Sequence, residues 1–218
     1  MLEIRHLNAS YGQAQALFDV SMDIQIGSMV LVHGLNGAGK STLLKSIMGL
    51  MPGASGQISW HGQAFEKLAP HERSKKGFGY VPEDRRLFAA LTVRQNLEIA
   101  MPSQAQKASL HAESLHLKDV LDLFPSLRGM LDRPASQMSG GEQQMLALGR
   151  TLMTQARMLL LDEPCEGISP VLVQSVAQAL EKLKKQGFTL LIAEQNQVLS
   201  RMADKILRMN SGHLTETM

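Results

Sequence analysis

Residues 34–41 read Gly-Leu-Asn-Gly-Ala-Gly-Lys-Ser. A glycine, four variable positions and then Gly-Lys-Ser is the pattern of a loop that wraps a phosphate chain, provided that a strand precedes it and a helix follows. Both flanks are legible. Residues 28–33 (SMVLVH) are a short apolar run, which reads as a buried strand, and residues 40–48 carry a helical pattern. Gly37 and Gly39 have no Cβ, so the backbone turns sharply there and presses its N–H groups against phosphate oxygens. Asn36 and Ala38 complete the loop. The helix beginning at Lys40 adds the partial positive charge of its N-terminus. Lys40 itself brings a full charge to the β- and γ-phosphates, the Ser41 hydroxyl is a ligand for Mg2+, and Thr42 donates toward the α-phosphate.

The rest of the chain reads as α/β with a mostly parallel core sheet. Residues 77–81, 157–161 and 188–193 are further short apolar runs bounded by breakers. Residues 2–7, 22–26 and 57–61 alternate and read as strands exposed on one face, and residues 205–209 with the Ser211-Gly212 turn read as a terminal hairpin. Helical patterns cover 92–100, 108–123, 140–153 and 170–185, the last opened by Ser169-Pro170 as cap and first turn. No strand is evident between about 85 and 152, which makes that stretch a helical insertion.

Two further segments carry chemistry. Residues 158–163 (MLLLDE) are an apolar strand ending in two acids. An aspartate at the C-terminal tip of a parallel strand sits beside the phosphate loop, so Asp162 is placed for the Mg2+ shell. Glu163 is expected to point the other way and to polarise a water for attack on the γ-phosphate. Alone, two adjacent acids are usually a solvated turn; the loop at 34–41 is what changes that reading. The second segment, Ser139-Gly140-Gly141-Glu142, opens a helix with capping-box spacing. Two glycines are poor formers of a first turn, a cost that makes sense if an anion must approach bare N–H groups.

Composition narrows the class. Of 218 residues 44% are hydrophobic and 19% charged, which excludes a disordered chain, and the net charge of +2 gives no nucleic-acid signal. The single cysteine, Cys165, excludes an internal disulfide and a cysteine zinc site, and reads as a small neutral filler. No run approaches the roughly 18–20 apolar residues of a membrane helix. Glu3 and Arg5 stand too early for the apolar core of a secretory signal. A cytoplasmic globular protein is the expectation, with any membrane link made through a partner. Residues 73–76 (RSKK) read as a solvated helix end.

The phosphate loop, Ser-Gly-Gly-Glu-Gln-Gln at 139–144 and Leu-Leu-Leu-Asp-Glu-Pro at 159–164, in this order and spacing, resemble the ATP-binding subunits of ABC transporters. The first motif is generic; the three together are specific and span nearly the whole chain. The resemblance implies a single P-loop ATPase domain: a catalytic core from 1–84 and 153–218 with an antiparallel β portion, and a helical signature subdomain from 85–152. It implies ATP and Mg2+ as ligands, with Ser41, Glu83 and Asp162 around the metal and Lys40, Glu163 and Gln195 in hydrolysis. Tyr11 corresponds to the aromatic residue that stacks on adenine, and Ala16 lines the same pocket. Ser139, Gly140, Gly141 and Glu142 would cover the nucleotide of a second ATP-binding subunit in a head-to-tail pair.

Three positions depart from the commonest family pattern: Glu83 replaces a glutamine, Gln195 a switch histidine and Ser169 an aspartate. Glutamine donates to the γ-phosphate but cannot become cationic. Residues 81–88 (VPEDRRLF), Leu91–Val93 and Glu194-Gln195-Asn196 resemble the LivF-type subunit of branched-chain amino-acid importers, and Glu166-Gly167-Ile168 looks more like the related urea-importer subunit. The partners implied are a second ATP-binding subunit, transmembrane permeases and, indirectly, a periplasmic solute-binding protein, with this chain peripheral at the cytoplasmic face of the inner membrane. Arg85 and Arg86 are either contacts for a permease helix or a plain surface pair. A soluble ABC-type scaffold is the rival reading, and an unrelated P-loop kinase leaves residues 139–144 unexplained.

Overall fold

The computed structural model of the chain describes residues 1–102 and 115–216. Two sheets sandwich the first helix. The antiparallel sheet contains β1 (Leu2–Tyr11), β2 (Ala14–Ile24), β4 (Ser55–Trp60) and β5 (Gln63–Ala64) in the order β2-β1-β4-β5. Leu2, Ile4, Leu7 and Ala9 face inward from β1, and the register shifts between Ile4 and Leu7, where His6 takes φ 53°. β1 and β2 run several residues beyond the alternating stretches read from sequence. In these ends, Asn8–Tyr11 against Ala14–Leu17, only the Ala9–Leu17 pair is buried, and the backbone ladder carries the rest.

The second sheet contains β3 (Met29–His33), β6 (Phe78–Val81), β7 (Met158–Asp162), β8 (Thr189–Ala193), β9 (Lys205–Asn210) and β10 (His213–Glu216), ordered β10-β9-β3-β8-β7-β6. Its pairs are parallel except for the terminal β9–β10 hairpin. β7 and β8 are buried along their whole length, which is why their sequences are continuous apolar runs.

The helices are α1 (Lys40–Met48), α2 (Pro70–Lys75), α3 (Val93–Glu98), α4 (Leu117–Leu123), α5 (Gly140–Met153), α6 (Pro170–Lys185) and α7 (Gln197–Ser200). α1 buries Leu43, Leu44 and Ile47 between the sheets; α3 to α6 build a second core on the opposite face of the parallel sheet. Each leucine so buried contributes about 2 kcal/mol. The helix read over 108–123 is seen as α4; residues 108–114 lie outside the described residues. Between 85 and 152 the described residues pair only through an isolated Thr92–Pro134 bridge. Pro170 opens α6 as read, but the Ser169 side chain makes no cap hydrogen bond.

Contrary to the solvated helix end expected at 73–76, Arg73 is 3% exposed. Its guanidinium donates to the carbonyls of Leu68 (2.8 Å), Ser46 (3.0 Å), Ile47 (2.6 Å) and Glu66 (2.6 Å). It thereby supplies donors to carbonyls at the C-terminal end of α1, where Ser46 also accepts from Gly49 N. The pattern of four polar residues gave no sign of this, because the partners lie on α1 and in the turn before α2.

Candidate functional site

The phosphate loop leaves the C-terminal end of β3 and turns into α1. Gly37 and Gly39 take φ 80° and 109°, a region open to glycine at no steric cost. Gly39 is the helix cap, and no side chain bonds the first-turn amides. They border a cleft of about 740 Å3. Tyr11 and Ala16 form one wall, and Asn36, Gly37, Gly39, Lys40, Ser41 and Thr42 the floor. Glu83 and Glu163 also line it. Ala38 is buried beside the floor without lining it; its carbonyl accepts from Gly212 N at 2.9 Å. The Tyr11 hydroxyl lies 3.4 Å from Thr42 Oγ1, while the residue as a whole is 54% exposed.

The two acids at the end of β7, Asp162 and Glu163, both meet the first turn of α1. Ser41 Oγ donates to Asp162 Oδ1 at 2.8 Å, and Lys40 Nζ pairs with Glu163 Oε1 at 2.8 Å. The expectation that Glu163 points away from Asp162 is therefore corrected. Strand alternation ends at Asp162, and Glu163 takes φ 49°, which swings its side chain back over the loop. Lys40 Nζ also donates to the carbonyls of Gly34 (2.8 Å) and Leu35 (3.2 Å). Burial raises the Asp162 pKa above the usual carboxylate range, and the Ser41 and Tyr80 hydroxyls oppose that rise.

In the loop after the neighbouring strand, β8, Gln195 Nε2 donates to Asn36 Oδ1 at 2.7 Å, so the position read as a γ-phosphate sensor already touches the loop. Glu194, 4% exposed, accepts from the backbone amides of Cys165, Gln195 and Asn196. Cys165 is buried as expected, and burial together with Glu194 pushes its thiol up to about 12.

Ser139, Gly140, Gly141 and Glu142 do not line this cleft. They open α5 with the capping box read from sequence: Ser139 N donates to Glu142 Oε2 at 2.7 Å, and Glu142 N to Ser139 Oγ at 3.4 Å. Arg85 lies against that helix start, donating to Gln144 Oε1 (3.1 Å) and Gln143 Oε1 (3.3 Å), whereas Arg86 bonds Asp84 at the surface.

Several residues at the site were not read from sequence. Tyr80, on β6, donates its hydroxyl to Asp162 Oδ2 at 3.0 Å. Gln15, Phe18, Glu166, Ser211 and Gly212 line the cleft. Burial and the charges of Glu163, Glu83 and Glu194 raise the Glu166 pKa. Gly212 was legible only as a hairpin turn. In the fold its N–H bonds Ala38 and its carbonyl accepts from Phe18 N at 2.9 Å, so it ties the last hairpin to the phosphate loop.

Residues 17–166 match the ABC transporter family. BraG, the high-affinity branched-chain amino acid transport ATP-binding protein of Pseudomonas aeruginosa, is 38% identical over 98% of this chain and 91% of its own length. The probable branched-chain amino acid transport ATP-binding protein LivF of Archaeoglobus fulgidus is 42% identical over 90% of this chain and 82% of its own. Among solved structures, MJ1267, an ATP-binding cassette of an ABC transporter in its ADP conformation, superposes with a TM-score of 0.81 at 26% identity, covering 99% of this chain and 89% of that one. No helix among the described residues is long and apolar enough to cross a membrane. A phosphate-type loop joined to two strand-end acids, on a fold shared with these cassettes, identifies the chain as a member of the ABC transporter family and one of its ATP-hydrolysing domains.

Proposed function

We propose that this chain binds ATP with Mg2+ in the 740 Å3 cleft and uses its hydrolysis to energise uptake of branched-chain amino acids. The observation that carries the site reading is the junction at the first turn of α1, where Ser41 meets Asp162 and Lys40 meets Glu163. The solute reading rests on the two relatives named for branched-chain amino acid transport.

The donor set fits Mg2+. Among the described residues no cluster of three or more His, Cys, Asp or Glu side chains is arranged for a metal. A hydroxyl and a carboxylate 2.8 Å apart beside a phosphate loop instead suit an ion that takes one or two protein oxygens and completes its shell with phosphate and water. Ser41 and Asp162 would hold it, with Glu83 at the cleft's edge. When bound, the ion neutralises charge on the phosphates. Tyr11 and Ala16 hold the adenine end, the latter by apolar contact. The amides of residues 37–42, with Asn36 and Ala38 shaping the loop, grip the phosphates. Lys40 exchanges Glu163 for phosphate oxygens, which frees Glu163 to orient and activate water, and Gln195 donates to the γ-phosphate.

In this reading 1–84 and 153–218 form the catalytic core and 85–152 the helical signature subdomain. Ser139, Gly140, Gly141 and Glu142 cover the nucleotide of a second ATP-binding subunit. Permease subunits hold the pair at the cytoplasmic face of the inner membrane, and a periplasmic solute-binding protein delivers the solute. The test is Glu163→Gln in the purified chain. ATP binding by calorimetry is retained while turnover falls about 100-fold or more; unchanged turnover removes the catalytic assignment. Loss of radiolabelled leucine uptake on deleting the gene tests the solute, and undiminished uptake refutes it.

A further inference from the structure

Asp162 is 2% exposed and carries one hydrogen bond on each carboxylate oxygen, from Ser41 to Oδ1 at 2.8 Å and from Tyr80 to Oδ2 at 3.0 Å. The loop cation nearest in sequence, Lys40, is engaged by Glu163 and two carbonyls. Two hydroxyls therefore hold the orientation of this carboxylate.

The strand register explains why a tyrosine does so. β6 and β7 are parallel, with Tyr80 opposite Leu160. Asp162 is two residues beyond Leu160, on the same face, so it is the diagonal neighbour of Tyr80 rather than its direct partner. A diagonal of that kind is within reach of an aromatic side chain. A serine or threonine there is too short, and phenylalanine has the reach without the donor. Tyr80 does not line the nucleotide cleft; it borders two other cavities, of about 680 and 430 Å3, the first of which shares Tyr11 with the cleft. Whatever Tyr80 contributes to the reaction passes through Asp162.

The two hydroxyls are not equivalent. Ser41 stands at the cleft floor and is the one that turns to the metal in the reading given above, on which this inference rests. Once it turns, Tyr80 is the donor left to hold the carboxylate. We propose that Tyr80 is a positioning residue of the metal site, its hydroxyl locking the Asp162 rotamer that faces Ser41. Without it one oxygen of a buried carboxylate has no donor, and the group rotates in search of another.

The test reads metal binding directly, by electron paramagnetic resonance of Mn2+ titrated into the full chain with a non-hydrolysable ATP analogue. Tyr80→Phe keeps the ring and removes the hydroxyl. It is expected to weaken Mn2+ binding about tenfold, the lower end for losing a partner of a metal-ligating group. Affinity for the analogue in EDTA is expected to stay at the wild-type value, as a folded, intact cleft requires. Asp162→Asn is run in parallel. Weakening in Asp162→Asn with Mn2+ affinity within twofold of wild type in Tyr80→Phe overturns the Tyr80 inference and leaves the metal site standing. No weakening in either variant overturns both.

Discussion

Lys40 Nζ sits 2.8 Å from Glu163 Oε1 in a contact that leaves the lysine side chain 3% and the carboxylate 10% exposed. The ammonium and the carboxylate neutralise each other. In the function proposed above, ATP displaces Glu163 to reach Lys40. Glu163→Gln removes that competition, so its affinity for ATP is expected to equal or exceed that of the wild type several-fold. Lys40→Ala removes the cation and strands the acid, and is expected to lose about 100-fold or more in ATP affinity. Titration calorimetry of both variants checks the pair; weaker binding in Glu163→Gln would show that the ion pair assembles the site rather than guarding it.

Gln195 reaches Asn36 of the phosphate loop at 2.7 Å without itself lining the cleft, and in the proposed function it donates to the γ-phosphate. An amide does not titrate, whereas imidazole changes charge near pH 6.5. Gln195→His is therefore expected to add a new inflection between about pH 6 and 7 to the turnover profile. Superimposable profiles for the variant and the wild type would separate this residue from the reacting phosphate.

Arg73 is a structural prediction. Its four carbonyl contacts are buried or half-buried, and Arg73→Ala removes that donor from each, leaving only Ser46 with a backbone partner among the described residues, Gly49 N. The expected loss is about 3 kcal/mol of stability, in line with stranding buried polar groups. A urea unfolding curve measures it. A shift under about 0.5 kcal/mol would mean that water replaces the guanidinium at the end of α1.

Cys165 carries a thiol pushed up to about 12 by burial and by Glu194. At pH 8 the folded thiol is almost wholly protonated, while an unfolded cysteine near 8.5 is partly thiolate. Iodoacetamide is expected to label the native chain at least about 100-fold more slowly than the urea-unfolded chain. The sign follows for stability too: as pH rises through the unfolded value, only the unfolded chain ionises, so the folded state loses ground. Rapid native labelling would place the thiol in a more open setting than its 6% exposure shows.

Most of the parallel sheet was legible because β3, β7 and β8 are apolar runs too short for helices. The site's local parts were legible for the same kind of reason. Gly37 and Gly39 bend the loop through backbone geometry over a few residues, directly before Lys40 and Ser41, and Ser139 and Glu142 cap a helix three positions apart. The short α2 and β5 left no periodic signal, and the role of Gly212 hides in an ordinary hairpin turn.

The chain's own order of residues thus determined the loop, its helix, the capping box and the two acids at the end of β7, since each is written within one turn or one strand. Tertiary structure alone decided that Glu163 folds back onto Lys40, that Arg73 is buried against α1, and that Tyr80 and Ser41 converge on Asp162. The two contacts of Asp162 join residues 82 and 121 positions apart. As a group the contacts depend on strand register and on a single left-handed residue, and neither is encoded by the spacing of residue types along the chain.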